Sequence, residues 1–372
     1  MKQVALAAGI WVACVALAAG QAKPPMAEDV FKNVQILRGI PVDEFMTTMG
    51  FFSAALGLNC TDCHVDESGG SWDRYADDND LKRTSRRMML MVQNINRANF
   101  GGRQVVTCNT CHRGTYKPNV MPSLDLLYGE PPHDEPGDPI AQAPGQPAPA
   151  EVLDKYLAAA GGAQRLAALT SISAKGTYLG FDDADESPLE LYATAQGQRA
   201  IVAHLPAGES TWLLNADGGW IMGPATDRPM PLIAITGQEL AGLRVEAAAL
   251  FPPRIAGALR NLRTGVPALL NDREVHVVQG ETAEGAVVTL CIDAETGLLT
   301  RLVRFGESPV GRLVTRVDYE EYRDVAGVKL PSKWTVAWLN GRTVFTLSDI
   351  QANPRIDAAR FVLPAAPAGR SN

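Results

Sequence analysis

The chain has 372 residues, 46% of them apolar, and a formal net charge of −7. This length accommodates two domains of ordinary size, and the apolar fraction argues against a disordered chain. We see no basic stripe or arginine-rich tract in the sequence, so nucleic-acid binding is not indicated.

The first residues have the features of a secretory signal. Lys2 supplies a positive charge, and an apolar run extends from Val4 to Ala19. This run is shorter than the roughly 20 residues that a membrane-spanning helix needs. We therefore expect residues 1–20 to be removed as a signal peptide and the mature protein to lie in the periplasm. Lipid attachment at Cys14 is an alternative, but Trp11 fits such a site poorly.

A mainly helical domain is predicted for residues 21–128. Its first helix presents apolar side chains at helical spacing and ends before Gly57; these side chains are Phe45, Met49, Phe52 and Leu56. A second helix is predicted from Leu81 to Asn99, with Asp80 at its N-cap and Gly101 after its end. One face of the second helix carries Met88, Val92 and Ile95.

A proline-rich segment occupies residues 129–150, with seven prolines from Pro131 to Pro149 and only acidic residues among its charges. Such a composition favours an extended chain over a packed core. We predict that this segment is a linker between two domains.

Residues 151–372 change to the alternating pattern of β-strands. A short helix is predicted at Glu151–Ala168, and an apolar helix from Gln238 to Leu262 is broken at Pro252 and Pro253. Strands are predicted at Leu189–His204, Ser210–Met222, Glu274–Val278, Ala286–Ile292, Leu298–Phe305, Leu313–Tyr322 and Lys333–Ile350. The pattern predicts an antiparallel, β-rich second domain.

Two Cys-x-x-Cys-His motifs carry the chemistry of the helical domain. Two thiols three positions apart can reach the two vinyl groups on one edge of a porphyrin, and the adjacent imidazole then faces the iron. The predicted attachment residues are Cys60, Cys63 and His64 for one covalent haem c, and Cys108, Cys111 and His112 for a second.

Zinc binding and disulfide formation are the competing interpretations of these cysteines. Two Cys pairs could form a four-thiolate zinc site, although the gap between Cys63 and Cys108 is long for a compact ribbon. Disulfides are common in exported proteins. Neither alternative explains why a histidine follows each pair at once. A further cysteine, Cys291, lies in an apolar strand and is predicted to be buried.

Each predicted iron needs a sixth ligand or keeps an open position. Met49 precedes the first motif and shares a helical face with apolar residues, and Met88 has the same relation to the second motif. A methionine on an apolar helix is ordinarily core packing, but the neighbouring haem motifs favour ligation. The rival methionines are Met46, Met89 and Met91.

The segments around the two motifs resemble the cytochrome subunit of photosynthetic reaction centres. The similar stretches are Asn33–Leu37, Glu44–Met49, Leu56–Cys60, Arg86–Met91, Asn94–Asn96 and Cys108–Gly114. The family repeats a unit in which a helix with an axial methionine precedes a turn and a haem motif. The resemblance implies Met49 and His64 as ligands of one iron, and Met88 and His112 of the other. The family carries four haems, whereas this chain has two motifs.

Polar residues between the motifs have less specific roles. The acidic segment Asp77–Asp80 is predicted to be a capping and solvated loop rather than a calcium site. Arg86 and Arg87 are candidates to pair with haem propionates through charge-assisted hydrogen bonds.

The end of the chain resembles periplasmic half-barrel proteins of the lipoprotein-carrier type. The similar stretches are Asp318–Tyr319, Val325–Pro331 and Phe361–Pro364. This resemblance implies a curved antiparallel sheet with the Gln238–Leu262 helix against its concave side, and it allows an apolar ligand there.

The leading functional hypothesis is an exported dihaem cytochrome. It would transfer electrons through two His/Met-ligated haems to a redox partner protein, free or membrane-bound. A haem enzyme of the peroxidase kind, with one open iron, is the first alternative. A carrier that binds an apolar ligand through its C-terminal domain is the second.

Overall fold

The computed structural model describes residues 24–129, 139–181, 183–224 and 230–363, without the side chains of residues 125 and 126. The predicted signal peptide, Cys14 and residues 130–138 of the predicted linker lie outside the described residues. No helix within the described ranges is long and apolar enough to cross a membrane.

The N-terminal part is helical, as predicted. Short 3₁₀ turns at Asp66–Gly69 and Trp72–Ala76 connect its third and fourth helices. The helices are α1 (Ala27–Val30), α2 (Val42–Leu56), α3 (Cys60–Cys63), α4 (Asp80–Phe100), α5 (Cys108–His112) and α6 (Leu124–Tyr128).

The two long helices begin and end close to the predicted positions. α2 ends at Gly57, whose φ of 65° closes the helix in the left-handed region, and α4 ends in the same way at Gly101. The N-cap of α4 is Asn79 rather than Asp80, because the Asn79 side chain accepts the backbone N–H of Lys82 at 2.8 Å. The predicted capping role of this polar segment therefore belongs to its asparagine.

The second part begins with two helices, α7 (Pro149–Ala159) and α8 (Ala163–Ala168), and two more interrupt the strands, α9 (Gly237–Ala248) and α10 (Pro253–Ala258). The strands are β1 (Ser171–Leu179), β2 (Ser187–Thr194), β3 (Arg199–Leu205), β4 (Gly208–Leu214), β5 (Gly219–Met222), β6 (Leu232–Ile235), β7 (Arg260–Thr264), β8 (Ala268–Leu270), β9 (Arg273–Glu281), β10 (Val287–Asp293), β11 (Leu299–Ser308), β12 (Gly311–Val325), β13 (Val328–Trp338) and β14 (Gly341–Ala352).

All strand pairs are antiparallel and form one open sheet. Its order is β6-β5-β4-β3-β2-β1-β14-β13-β12-β11-β10-β9-β7, with β8 paired to β9. The predicted class, a mainly α domain followed by an antiparallel β domain, is confirmed. Three predicted strands each comprise a hairpin rather than one strand: Leu189–His204, Ser210–Met222 and Lys333–Ile350.

The main core lies between this sheet and the helices α7 to α10. Apolar side chains of α9, α10 and their connection, including Val245, Phe251 and Ile255, are buried against strand residues such as Leu302 and Leu330. The predicted break at Pro252 and Pro253 separates α9 from α10, and Arg260 begins β7 instead of continuing a helix.

A smaller apolar cluster joins the two parts of the protein. It contains Phe51 and Ala55 of α2, Met89 of α4, and Val310 and Leu313 from the β11–β12 hairpin. The closeness of this contact shows at Gly311, where an added Cβ would overlap the Phe51 ring. The helical part and the sheet therefore pack directly against each other.

Polar contacts reinforce this junction. The buried carboxylate of Asp43 in the first turn of α2 accepts the backbone N–H of Thr236 at 2.7 Å and the Thr236 hydroxyl at 3.0 Å. Thr236 is the N-cap of α9. Burial raises the pKa of Asp43, although these hydrogen bonds oppose the shift. Gln104 also donates its side-chain amide to the carbonyl oxygen of Ser308.

Candidate functional site

Each Cys-x-x-Cys-His motif forms a single helical turn. The first, α3, is capped by Asn59, whose side chain accepts the Asp62 N–H at 3.0 Å, while the Asp62 carboxylate accepts the Asn59 N–H at 2.8 Å. The second, α5, has the backbone N–H of Thr107 bonded to the Thr110 hydroxyl at 3.0 Å. In both motifs this conformation places the two sulfurs three residues apart on the same side of one turn.

The four motif cysteines are unpaired thiols. Cys60 and Cys111 are exposed, and Cys63 and Cys108 are partly buried. Burial raises the pKa of Cys63 and of Cys108. The disulfide alternative therefore has no support in the geometry.

Both motif histidines use the same ring nitrogen to bond the backbone. His64 Nδ1 lies 3.0 Å from the carbonyl oxygen of Tyr75, and His112 Nδ1 lies 3.1 Å from that of Thr115. A carbonyl oxygen only accepts, so Nδ1 carries the proton and the Nε2 lone pair remains available to a metal. This second contact is the one that orients metal-binding histidines in proteins.

The environment of His64 favours the neutral form of its ring by lowering its pKa. Desolvation by burial is the largest cause that lowers its pKa, and the nearby charge of Lys82 acts in the same direction. The Tyr75 carbonyl opposes this shift only in part. A neutral imidazole is the form that binds iron.

The segment between α3 and α4 holds the first motif in place. The Tyr75 ring stacks on Trp72 with centroids 5.0 Å apart and lies 4.8 Å from the His64 ring. The Asn79 side chain donates to the Cys63 carbonyl at 3.0 Å. The residue that caps α4 therefore also fixes the end of the first motif.

The predicted apolar face of α2 is partly covered by the rest of the protein. Phe51 and Ala55 are buried in the junction cluster, and Met49 and Phe52 are partly buried and pack against it. The part of the Met49 face that stays exposed is available to an apolar group such as a porphyrin ring.

The methionines of α4 divide in the same way. Met89 is 8% exposed and packs in the junction cluster, while Met88 is 37% exposed. Because Met89 is turned towards the sheet, Met88 is the better candidate ligand of this pair. Met91 is 44% exposed, so exposure does not distinguish it from Met88 as the candidate ligand.

The structure brings α2 next to the second motif and α4 next to the first. The Gly114 N–H, just after α5, bonds the Ala55 carbonyl at 2.9 Å. The first turn of α4 contacts the first motif through Asn79 and through Lys82, whose ammonium donates to the Tyr75 carbonyl at 2.9 Å. The two units thus form one compact group, and Met49 and Met88 stay predictions as ligands.

The arrangement of the described side chains does not support a zinc site. Within the described ranges, no group of three or more His, Cys, Asp or Glu side chains converges in a way that could hold a metal ion. The residues fit the predicted haem instead: paired thiols on one turn, a histidine whose Nε2 is free, and partly exposed apolar residues on α2 and α4.

Sequence reasoning missed a basic surface on α4. Residues 81–117 contain eight lysines and arginines and no aspartate or glutamate. The statement that the chain lacks a basic stripe is therefore wrong. A window count of charge, rather than the net charge of the whole chain, would have found it. Arg86, considered for a haem propionate, instead bonds Asp78 at 2.8 Å.

The β-rich part holds a buried ionic cluster. Glu246 of α9 lies 3.2 Å from Arg199 and 3.4 Å from Arg304, and all three side chains are 8% exposed. A cavity of about 10 Å³ beside Glu246 is lined by Arg199, Tyr319 and Trp334, which is room for about one water molecule. The apolar-ligand site stays a prediction.

Residues 7–126 match the family described as photosynthetic reaction centre cytochrome C subunit. The subunit of Roseobacter denitrificans is 30% identical over 145 residues, which cover 36% of this chain and 38% of the relative. The subunit of Thermochromatium tepidum is 36% identical over 110 residues, which cover 27% of this chain and 25% of the relative. The chain thus spans well under half the length of these relatives, and the predicted resemblance is confirmed for its N-terminal third.

The second part has structural neighbours of low sequence identity. A LolA superfamily protein from Nitrosomonas europaea aligns with 59% of this chain and 99% of its own, at 14% identity and a TM-score of 0.40. A putative outer membrane lipoprotein-sorting protein domain from Vibrio parahaemolyticus aligns with 57% of this chain and 94% of its own, at 10% identity and a TM-score of 0.38.

Proposed function

From the similarity of its N-terminal third to the cytochrome subunit of photosynthetic reaction centres, we propose that this protein is an exported dihaem c-type cytochrome that transfers electrons. One observation supports this function above the others. His64 and His112, one in each motif, both donate a hydrogen bond from Nδ1–H to a backbone carbonyl, which leaves the Nε2 lone pair available to iron.

The residues that would hold the haems are Cys60, Cys63 and His64 for the first, with Met49 as sixth ligand, and Cys108, Cys111 and His112 for the second, with Met88 as sixth ligand. When bound, each haem supplies an iron that changes between ferric and ferrous states. The protein fixes the histidine rings through Tyr75 and Thr115, and the apolar faces of α2 and α4 exclude water from the metal.

Two ligands on each iron favour electron transfer over catalysis. With histidine and methionine both bound, no coordination position is left for a substrate. A peroxidase-like enzyme requires one iron without its methionine, and Met88 is the ligand whose assignment has a rival. Low-temperature EPR with a carbon monoxide binding assay distinguishes these two functions. Low-spin irons that do not react with carbon monoxide support electron transfer, whereas a high-spin, reactive ferrous centre supports the enzyme.

The number of haems is tested by mass. Protein matured in a host that attaches c-type haem should gain the mass of two haems, and pyridine haemochrome absorbance should give the same number. A gain of one haem would contradict the proposal.

The assignment of methionines is tested by substitution with histidine. A thioether favours ferrous iron more than a second imidazole does, so it raises the reduction potential. Met49→His should lower the reduction potential of one haem and leave that of the other nearly unchanged. Met88→His should lower the potential of the other haem and leave the first nearly unchanged. The weak far-red sulfur-to-iron band should lose about half its intensity in each variant.

Leucine variants of the rival methionines are the matched controls. Met46→Leu, Met89→Leu and Met91→Leu should preserve both potentials and the full sulfur-to-iron band. If Met91→Leu removes half of the band while Met88→His leaves it intact, Met91 is the ligand and our assignment of the second haem fails.

The export signal and the family together support a periplasmic location, with a redox protein, free or membrane-bound, as partner. For the β-rich part we propose a scaffold role, because its β11–β12 hairpin supports the buried face of α2. Lipid carriage is the alternative, and the charged, nearly filled interior beside Glu246 does not favour it.

A further inference from the structure

The exposed side of α4 combines basic and apolar residues in one line. Arg87, Leu90, Met91, Asn94 and Arg97, here called the α4 stripe, recur at intervals of three or four residues and therefore lie on one face of the helix. All five are exposed, including two large apolar side chains, Leu90 at 49% and Met91 at 44%.

The arginines of the stripe have no acidic partners among the described residues. Earlier basic residues of α4 are neutralised, since Arg83 pairs with Asp80 at 2.6 Å and Arg86 with Asp78 at 2.8 Å. Among the residues that the structure describes, no carboxylate lies within ion-pair distance of Arg87 or Arg97. The positive charge of the stripe is therefore available to another molecule.

The basic character continues beyond the stripe to the second haem motif. Arg103 lies in the loop that returns along α4, where the backbone of Val106 bonds Asn96, and Arg113 ends α5. Both arginines are exposed. This concentration of positive charge belongs to a chain whose net charge is −7, so it is a local feature of one surface.

The face of α4 next to the stripe carries the proposed axial ligand of the second haem. This face is formed by Met88, Val92 and Ile95, and Met88 is that ligand. Proteins that exchange electrons form small, short-lived complexes with an apolar centre and a charged rim. We propose that the α4 stripe docks an acidic redox protein next to the second haem, a proposal that rests on the electron-transfer function above.

Charge reversal provides the test. Stopped-flow experiments measure the rate of electron transfer to the full-length dihaem protein. Plastocyanin serves as an acidic electron donor, horse cytochrome c as a basic donor, and ascorbate as a small reductant. We expect Arg87→Glu/Arg97→Glu to slow electron transfer from plastocyanin about tenfold or more at low salt, because steering by opposite charge is lost. The rate with horse cytochrome c should rise, and the rate with ascorbate should stay within about twofold.

Matched controls separate docking from other effects. Arg355→Glu changes an exposed charge on the β-rich part and should leave the plastocyanin rate nearly unchanged. The potentials of both haems should be the same in all variants. The wild-type rate with plastocyanin should fall as salt rises, and this dependence should weaken in the double variant.

Three results would overturn the proposal. The first is a plastocyanin rate that does not change with the double substitution while ascorbate reduces both haems normally. This result refutes docking but leaves the electron-transfer function intact. Binding of the wild type to phosphatidylglycerol vesicles through the same arginines, with an unchanged plastocyanin rate, would make the stripe a membrane surface. Failure of ascorbate to reduce the wild type would refute the electron-transfer function itself.

Discussion

Phe51 and Gly311 allow a direct measurement of the contact between the helical part and the sheet. Phe51 is 6% exposed, and a Cβ atom at Gly311 would lie 2.5 Å from its ring atom Cε2. Gly311 does not have a positive φ, so alanine suits its backbone and the clash with the ring is the main penalty. Overpacking of this kind costs about 1–3 kcal/mol of unfolding free energy.

Removing the ring should remove the penalty. Phe51→Ala should itself destabilise the protein by about 3–5 kcal/mol. In that background, Gly311→Ala should cost less than about 0.5 kcal/mol, so the two substitutions are strongly non-additive. Gly306→Ala is the matched control, because no atom lies within 4 Å of its added Cβ, and its effect should be the same in both backgrounds.

Equilibrium urea unfolding of the haem-loaded protein provides the free energies. Haem absorbance reports the helical part and far-ultraviolet circular dichroism reports mainly the sheet. The shared cluster predicts that both signals change in the same transition. If Gly311→Ala costs the same with and without the Phe51 ring, the two parts do not pack as described. Two separated transitions would instead show that residues 21–128 form an independent domain.

Two further predictions concern the β-rich part. Glu246→Gln leaves Arg199 and Arg304 with less compensation for their buried charges, so we expect a loss of about 3–5 kcal/mol in urea unfolding; a loss below about 1 kcal/mol would contradict the buried cluster. Burial alone would raise the pKa of Asp293, but hydrogen bonds, the strongest from Arg273, lower it from 3.8 to about 2. Its carboxylate therefore stabilises the fold above the unfolded-state pKa, and this contribution is lost as pH falls towards 2. Arg273→Gln should weaken that part of the acid-unfolding curve, and an unchanged curve would refute the assignment.

Local signals in the sequence predicted the long helices well. Gly57 and Gly101 end α2 and α4 because each adopts a positive φ at the helix terminus. The N-cap of α4 was displaced by one residue, since Asn79 and Asp80 are both good caps and only the fold shows which one turns towards the helix.

Strand boundaries were less predictable where alternation continues through a turn. The Leu189–His204 pattern conceals a hairpin that turns at Gly197, whose φ is 95°. The strand β1 was missed altogether, although it joins β2 to β14 at the centre of the sheet. Its partner β14 is distant in the chain, and pairings of this kind leave no periodic signal in the intervening residues.

The junction between the two parts was not predictable from the sequence. The helical spacing of apolar residues places Met49 and Phe52 on one face of α2, but the burial of Phe51 depends on Val310 and Gly311. Asp43 likewise looks like an ordinary acidic residue in a first helical turn. Its burial against Thr236 depends on a contact across 193 positions of the chain.

The bond between Asp43 and Thr236 has a consequence for how such a protein can evolve by recombination. One carboxylate lies in the first turn of α2 and bonds the N-cap residue of α9, so a single acidic side chain links the starts of two helices in different parts of the chain. Joining this helical segment to an unrelated sheet would leave Asp43 without the donors of Thr236 and the start of α9 without this carboxylate. The gene segments for the two parts are therefore expected to be inherited together, as a matched pair.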